Sequence, residues 1–126
     1  MSTDPDFLEH CRDLFASLGP ISTNRMFGGT GLYIDGAMFA VIFGDALYMK
    51  ADKPLAIQYN QAGSAPFQYD TKSGVRTIPG LISLPESALD DPEEALFWAR
   101  KSLIPAMAAT EKRNAAKRRK AARDAS

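Results

Sequence analysis

The chain has 126 residues, enough for one domain with a modest core, and its composition of 45% hydrophobic and 24% charged residues is that of an ordinary soluble globular protein. No apolar run is long enough to span a membrane, the acidic N-terminus does not resemble a signal peptide, and a single cysteine excludes an intrachain disulfide, so we expect a cytoplasmic protein. The net charge of zero is unevenly distributed: residues 1–110 carry 8 Lys/Arg against 13 Asp/Glu, whereas residues 111–126 carry 7 against 2. We therefore divide the chain into a body, 1–110, and a basic tail, 111–126.

The first predicted element is a helix that begins after Asp4 and ends at Gly19-Pro20. Asp4 is a suitable N-cap, and Pro5 fits the first helical position. Apolar residues then recur at helical spacing: Phe7, Leu8, Cys11, Leu14, Phe15 and Leu18.

Four strands are predicted next, over residues 24–27, 31–34, 37–43 and 45–51. Asp35-Gly36 and Gly44-Asp45 are two-residue breaks typical of hairpin turns. Residues 37–43 are continuously apolar, which indicates a central strand covered on one face and partly on the other.

The second half of the chain predicts a helix over 52–62, a hairpin of strands 66–71 and 75–84, and a long last helix. Pro79 cannot donate to a sheet ladder, so its strand should lie at an edge or carry a bulge. Asp91 caps the last helix, whose predicted inner stripe is Leu96, Ala99, Leu103 and Met107. Pro105 should kink or end this helix near Ile104.

This order of elements predicts an α+β fold with two layers, an antiparallel sheet packed with helices. The predicted core includes the following residues: Phe7, Cys11, Leu14, Phe15, Leu32, Phe39, Val41, Leu47, Leu96 and Leu103.

Residues with the potential for chemistry are sparse, and we expect no enzyme, cofactor or metal site. His10 and Cys11 are the only residues of their types, and adjacent helical positions point about 100° apart, so they cannot form a thiolate–imidazole pair. The glycines at 28, 29 and 31 lack the lysine and the helix of a phosphate loop, and we expect them to join two strands. Capping explains the carboxylates at 90–94 without a bound cation.

Two groups of residues leave a binding role open. The aromatics Tyr33, Tyr48, Phe67 and Tyr69 alternate along strands, which suits cross-strand packing or a stacking face for bases or a partner. Arg25 suits a solvated surface cation, a partner contact or an ion pair.

The segment Arg25-Met26-Phe27-Gly28-Gly29, continuing to Tyr48-Met49-Lys50, resembles the N-terminal domain of the TfoX/Sxy regulators. The likeness continues through Pro66-Phe67-Gln68-Tyr69 and Leu89-Asp90-Asp91-Pro92 to Trp98-Ala99-Arg100. It implies a secretion-chaperone-like α+β fold and a non-enzymatic role in the transcriptional control of competence, in concert with a cyclic-AMP-responsive activator. Arg25, Met26, Phe27, Gly28 and Gly29 are then the candidate partner-binding residues.

The full-length regulators of this type carry a second helical domain, and we interpret this chain as a stand-alone version with a basic tail in that place. The tail suggests a second partner, DNA, and its seven candidate phosphate-binding residues are Lys112, Arg113, Lys117, Arg118, Arg119, Lys120 and Arg123. The spacing of 113, 117, 120 and 123 would align four of them on one helical face, whereas 112 and 119 lie elsewhere. The alternative is a protein–protein adaptor with no nucleic-acid role and a merely solvated tail.

Overall fold

The computed structural model describes residues 3–26 and 28–124 and confirms the α+β class. Its helices and strands are α1 (Pro5–Leu14), β1 (Ser22–Met26), β2 (Gly29–Ile34), β3 (Ala37–Phe43), β4 (Ala46–Lys50), α2 (Lys53–Gln61), β5 (Pro66–Thr71), β6 (Gly74–Ser83) and α3 (Pro92–Asp124). The strands form one antiparallel sheet in the order β1-β2-β3-β4-β6-β5. None of the described helices is long and apolar enough to cross a membrane.

Each helix begins at an aspartate, as the sequence predicts. The carboxylate of Asp4 accepts a hydrogen bond from the amide of Asp6, and that of Asp52 accepts one from Leu55, both at 3.0 Å. Asp91 accepts from the amides of Glu93 and Glu94. These bonds satisfy amide donors that the first turn of a helix leaves without partners. Within the acidic cluster at 90–94, the carboxylate of Asp91 therefore caps the helix, and that of Glu94 accepts a hydrogen bond from the hydroxyl of Ser87.

The core lies between one face of the sheet and the helices. Phe15, at the end of α1, is fully buried and packs edge-on against Phe39 with the ring centroids 5.4 Å apart. The pairing of β2 with β3 shifts so that Phe39 is an extra, bulged residue, and Phe39, Ala40 and Ile42 all belong to the core. Val41 is buried as well, but it lies outside this core, on the opposite face of the sheet.

Helix α3 differs from its prediction in two ways. It does not end near Ile104, one of the two outcomes expected of Pro105, but continues to Asp124, because the following Ala/Lys/Arg-rich segment has high helix propensity. Its buried face is also rotated from the predicted stripe: Met107 is exposed and Leu96 and Leu103 are half-buried. The residues that are buried instead are Ala95, Trp98, Ala99, Ser102 and Ala106.

Small residues and one polar contact explain that rotation. Three alanines let the helix approach the sheet closely, and Trp98 stacks on the buried Tyr59 of α2 at 4.4 Å between centroids. The hydroxyls of Tyr59 and Ser102 lie 2.6 Å apart, and the Tyr59 hydroxyl also donates to the carbonyl of Trp98. Ser102 is therefore a satisfied buried polar residue, which apolar periodicity does not identify.

Pro79 lies at a bulge, one of the two outcomes that the sequence predicts. Pro66 pairs with Ile82 and Phe67 pairs with Ile78, so residues 79–81 have no counterpart on β5. Strand β4 pairs with β6 only at residues 81–83, beginning at the last residue of the bulge. The part of the β5–β6 hairpin before the bulge is consequently not held in the plane of the sheet, although β6 itself is an interior strand.

Candidate functional site

The β5–β6 hairpin bends onto the face of the sheet that the helices leave uncovered, which we call the outer face. The rings of Phe43 on β3 and Phe67 on β5 stack at 4.5 Å between centroids and 8° between planes. Strands β3 and β5 are three places apart in the sheet, a distance of about 14 Å if the sheet were flat. The two rings can therefore touch only because the hairpin curls over the outer face beyond the bulge at 79–81.

Aromatic contacts hold the hairpin in this position. Tyr48 on β4 packs edge-on against Phe67 at 4.9 Å, and Tyr69 continues the stack at 5.9 Å from Phe67. Offset-stacked and edge-to-face rings at such distances each contribute about 0.5–1.5 kcal/mol beyond the burial of their area. Three of the four aromatics named from the sequence, Tyr48, Phe67 and Tyr69, thus form one cluster with Phe43, whereas Tyr33 lies outside it. At the edge of the cluster, 42% of the Tyr69 side chain remains exposed.

Between the curled hairpin and the outer face lies an open apolar groove of about 550 Å³. Its lining comes from four strands and consists of Met26, Met38, Val41, Phe43, Phe67, Tyr69, Ile78 and Leu81. The lining contains no charged residue, and the aromatic and methionine side chains are of the kind that line binding clefts and the centres of protein interfaces. This groove is the candidate functional site.

The wall of the groove at β1 and β2 depends on a glycine. The Tyr33 ring lies over Gly31, where an added Cβ would meet ring carbons at 2.9 Å and the Met38 sulfur at 3.1 Å. In this position the Tyr33 hydroxyl donates to the sulfur of Met26 at 3.9 Å. Tyr33 therefore supports the methionine that forms one edge of the groove.

The candidate partner-binding residues of the Arg25–Gly29 motif divide between different roles. Met26 lines the groove, whereas Arg25 is exposed beside it and makes no ion pair with any carboxylate in the described part of the chain. Gly28 adopts a φ of 77° in the turn between β1 and β2, a conformation that favours glycine. Gly29 is buried against β3. Phe27 lies outside the described residues.

The match to a family model covers this whole arrangement. The model of the TfoX N-terminal domain matches residues 13–106, about three quarters of the chain. The chain belongs to the TfoX N-terminal domain family. No curated protein matches the chain. The family segment contains every residue that lines the groove, and it ends at Ala106, the last buried residue of α3.

The family motif alone identifies only part of the groove. The sequence pointed to Met26 and, as open alternatives, to Phe67 and Tyr69. It did not identify the other five lining residues as members of a site: Met38, Val41, Phe43, Ile78 and Leu81. Two features of the sequence could have indicated these residues. Strand β3 is continuously apolar and buried on both faces, and Pro79 marks the bend of the β5–β6 hairpin. Neither signal predicts which face of the sheet the β5–β6 hairpin covers.

Beyond the family segment, α3 extends past Ala106 for about 27 Å, at 1.5 Å per residue. All seven tail cations are exposed. At 100° per residue, six of them lie within an arc of roughly 160°, so the continuous helix gives them one basic face, better aligned than the sequence spacing suggested. Its members are Lys112, Arg113, Lys117, Arg119, Lys120 and Arg123. Arg118 lies on another side, where it pairs with Glu111 at 2.9 Å.

The remaining residues with chemical potential have structural surroundings. Burial raises the pKa of Cys11 to about 12, so the thiol stays protonated at neutral pH. Nε2 of His10 donates to the carbonyl of Leu89 at 2.6 Å, which ties α1 to the segment before α3. Among the described residues, no cluster of three or more His, Cys, Asp or Glu could hold a metal ion.

Proposed function

We propose that this chain is a non-enzymatic regulator of the TfoX type that binds a protein partner in the outer-face groove. Membership of the family supports a TfoX-like regulatory role in general. The observation that carries the proposal is the groove itself, because it joins Met26 of the family motif to the aromatic cluster and presents apolar side chains to solvent. The partner would insert apolar or aromatic side chains, and we propose a cytoplasmic transcription activator that controls competence genes.

The exposed edge of the groove permits a direct test in the full-length protein. Tyr69→Asp places a charge at the rim of the apolar groove, where desolvation on binding would be costly. We expect this variant to lose a partner that the wild-type chain retains when each is used as bait in an extract of the native host. Val75→Asp is the matched control, because Val75 is on the same hairpin and 62% exposed but does not line the groove.

The domain should stay folded in both variants, since both positions are exposed. Near-ultraviolet circular dichroism checks that Phe43 and Phe67 remain stacked when Tyr69 is replaced. Equal recovery of partners by Tyr69→Asp and by the wild-type chain would exclude the groove as the binding surface. A partner lost from both variants would place the contact on the outside of the hairpin instead.

The one-sided basic face of α3 favours a second candidate function, sequence-independent contact with DNA. Lysines and arginines that neutralise phosphates release counterions, and this term depends on charge rather than on base sequence. The body carries a net charge of −5, so DNA affinity should reside in the tail, and a solvated tail on a pure adaptor is the alternative. With six cations on one face, the slope of log K against log salt should not be steeper than about −5.

Neutralising half of the basic face tests the DNA candidate. The triple variant Arg113→Gln, Lys117→Gln, Lys120→Gln should reduce affinity for duplex DNA at low salt and flatten the salt slope by roughly 3. Arg118→Gln, off the basic face and already paired with Glu111, should change either quantity much less. Fluorescence anisotropy with a labelled duplex measures both. No binding by the wild-type chain at low salt, or equal losses in the two variants, would favour the adaptor.

A further inference from the structure

One exposed side of α3, which borders α2 at Ile104, carries large apolar residues. Phe97, Ile104 and Met107 are exposed to 51%, 70% and 54%. At 100° per residue Phe97 and Ile104 lie roughly opposite the buried alanines at 95, 99 and 106, and Met107 lies about 100° from the middle of that buried face. Neither the groove nor the basic face includes them, although such a row of side chains on a helix commonly marks an interaction surface.

This row belongs to a longer seven-residue pattern. One set of positions is Phe97, Ile104, Glu111 and Arg118, and the second set, three residues on, is Arg100, Met107 and Asn114. Alternating spacings of three and four are those of the seam along which two helices pair in a coiled coil. Extended back by one turn to Glu93, the seam spans about seven helical turns, with an apolar centre and charged residues at both ends.

The charges along the seam determine which orientation is allowed. In a parallel pair each seam residue would meet its own copy, so Arg100, Glu111 and Arg118 would all face like charges. In an antiparallel pair with the two-fold axis between Pro105 and Ala106, Ile104 faces Met107 of the second copy. In the same register Arg100 faces Glu111, and Glu93 faces Arg118, so both charged pairs are complementary.

The charges around the seam agree with the antiparallel orientation. The segment that leads into α3 and its first turn are acidic, and the tail is basic, so reversal brings the tail of one copy against the acidic start of the other. The carboxylates concerned are Glu86, Asp90, Asp91, Glu93 and Glu94.

We propose that α3 is a dimerisation helix that pairs antiparallel with α3 of a second copy of this chain. Ile104 and Met107 supply the central apolar contact and Phe97 faces Asn114. The charged pairs fix the register, since such pairs determine specificity more than affinity. On dimerisation each copy would lose its internal Glu111–Arg118 ion pair, and the two residues would instead pair with Arg100 and Glu93 of the second copy. The lost pair costs little stability, because an exposed ion pair contributes about 0–1 kcal/mol. In the dimer the basic tail lies against the acidic start of α3 of the second copy. Arg118, which is not part of the basic face, lies on the seam.

Two charge reversals test this register in the full-length chain. Arg100→Glu sets a glutamate against Glu111 of the second copy at two symmetric places, and Glu111→Arg sets an arginine against Arg100 in the same way. Each variant alone should weaken the dimer at least about tenfold, since facing like charges costs several kcal/mol. An equimolar mixture of the two should form a heterodimer, because every facing pair is then of opposite charge.

Sedimentation equilibrium over a range of protein concentrations measures the association of each sample. Lys112→Glu is the control: it makes the same change of charge as Arg100→Glu, but it points about 100° away from Glu111 and should leave the dimer intact. All substituted positions are exposed, so the fold should persist, as circular dichroism will check. A monomeric wild-type chain, single variants that dimerise like the wild type, a control that weakens the dimer equally, or a mixture that stays monomeric would each overturn the proposal.

Discussion

Phe15→Ala is expected to lower the free energy of unfolding by about 3–5 kcal/mol. The Phe15 side chain is fully buried at the end of α1, in edge-on contact with the equally buried Phe39 of β3. Its removal loses the burial of a large apolar side chain and leaves a cavity that rigid neighbours on the sheet fill only in part. Since small domains have total stabilities of about 5–15 kcal/mol, the loss should be visible as a large shift of the urea midpoint.

Ile57→Ala provides the comparison for this measurement. Ile57 lies on α2 and is 58% exposed, so its truncation removes far less buried area. We expect a change within about 0.5 kcal/mol, as for most surface substitutions. A loss below about 1 kcal/mol for Phe15→Ala would mean that α1 does not pack on the sheet as described.

Local signals in the sequence predict the order of elements well. Asp4, Asp52 and Asp91 act as caps because each offers a carboxylate to amides within the same turn, and such contacts depend on neighbouring residues alone. The turn at 72–73 lies between strands within one residue of the predicted ends. The resemblance to the TfoX N-terminal domain, which the family model confirms over residues 13–106, implied the same α+β class as the order of elements.

The mistakes concern choices that depend on what packs against an element. The predicted stripe of α3 followed its large apolar residues, but the sheet accepts the alanine side, because small residues allow close approach and Ser102 finds a buried partner in Tyr59. Pro105 did not end the helix, since the residues after it favour helix strongly.

The groove could not be predicted in full from the sequence for the same reason: it depends on which elements pack against each other. A bulge at Pro79 is foreseeable, but the direction in which the hairpin bends is determined by the contact of Phe67 with Phe43, 24 residues earlier in the sequence. The exposed row on α3 likewise becomes visible only when the buried face of the helix is known. Met107, a member of this row, belongs to the predicted inner stripe, so the sequence pattern alone does not separate the row from the core.

Gly29→Ala should be the most damaging single-methyl change in the family motif. Gly29 pairs with Met26 at the start of β2, and a Cβ there would lie 2.6 Å from the carbonyl oxygen of Ile42 and 2.7 Å from ring carbons of Phe43. The ring could turn away, but the backbone oxygen belongs to the β3 ladder and cannot move without disturbing the sheet. Overpacking of this kind costs about 1–3 kcal/mol or more, and we expect a loss toward the upper end.

The same substitution should also damage the groove, because Phe43 carries the stack with Phe67 that holds the hairpin in place. Near-ultraviolet circular dichroism should therefore lose aromatic signal in Gly29→Ala under conditions where the protein is still folded. Gly80→Ala is the matched control within the sheet: its Cβ would meet the Ala51 carbonyl oxygen at 3.6 Å, an ordinary contact, so its stability and spectrum should stay close to the wild type. If Gly29→Ala were as stable as Gly80→Ala, the close approach of β2 to β3 would be wrong, and the requirement for glycine in the motif would need a cause other than space.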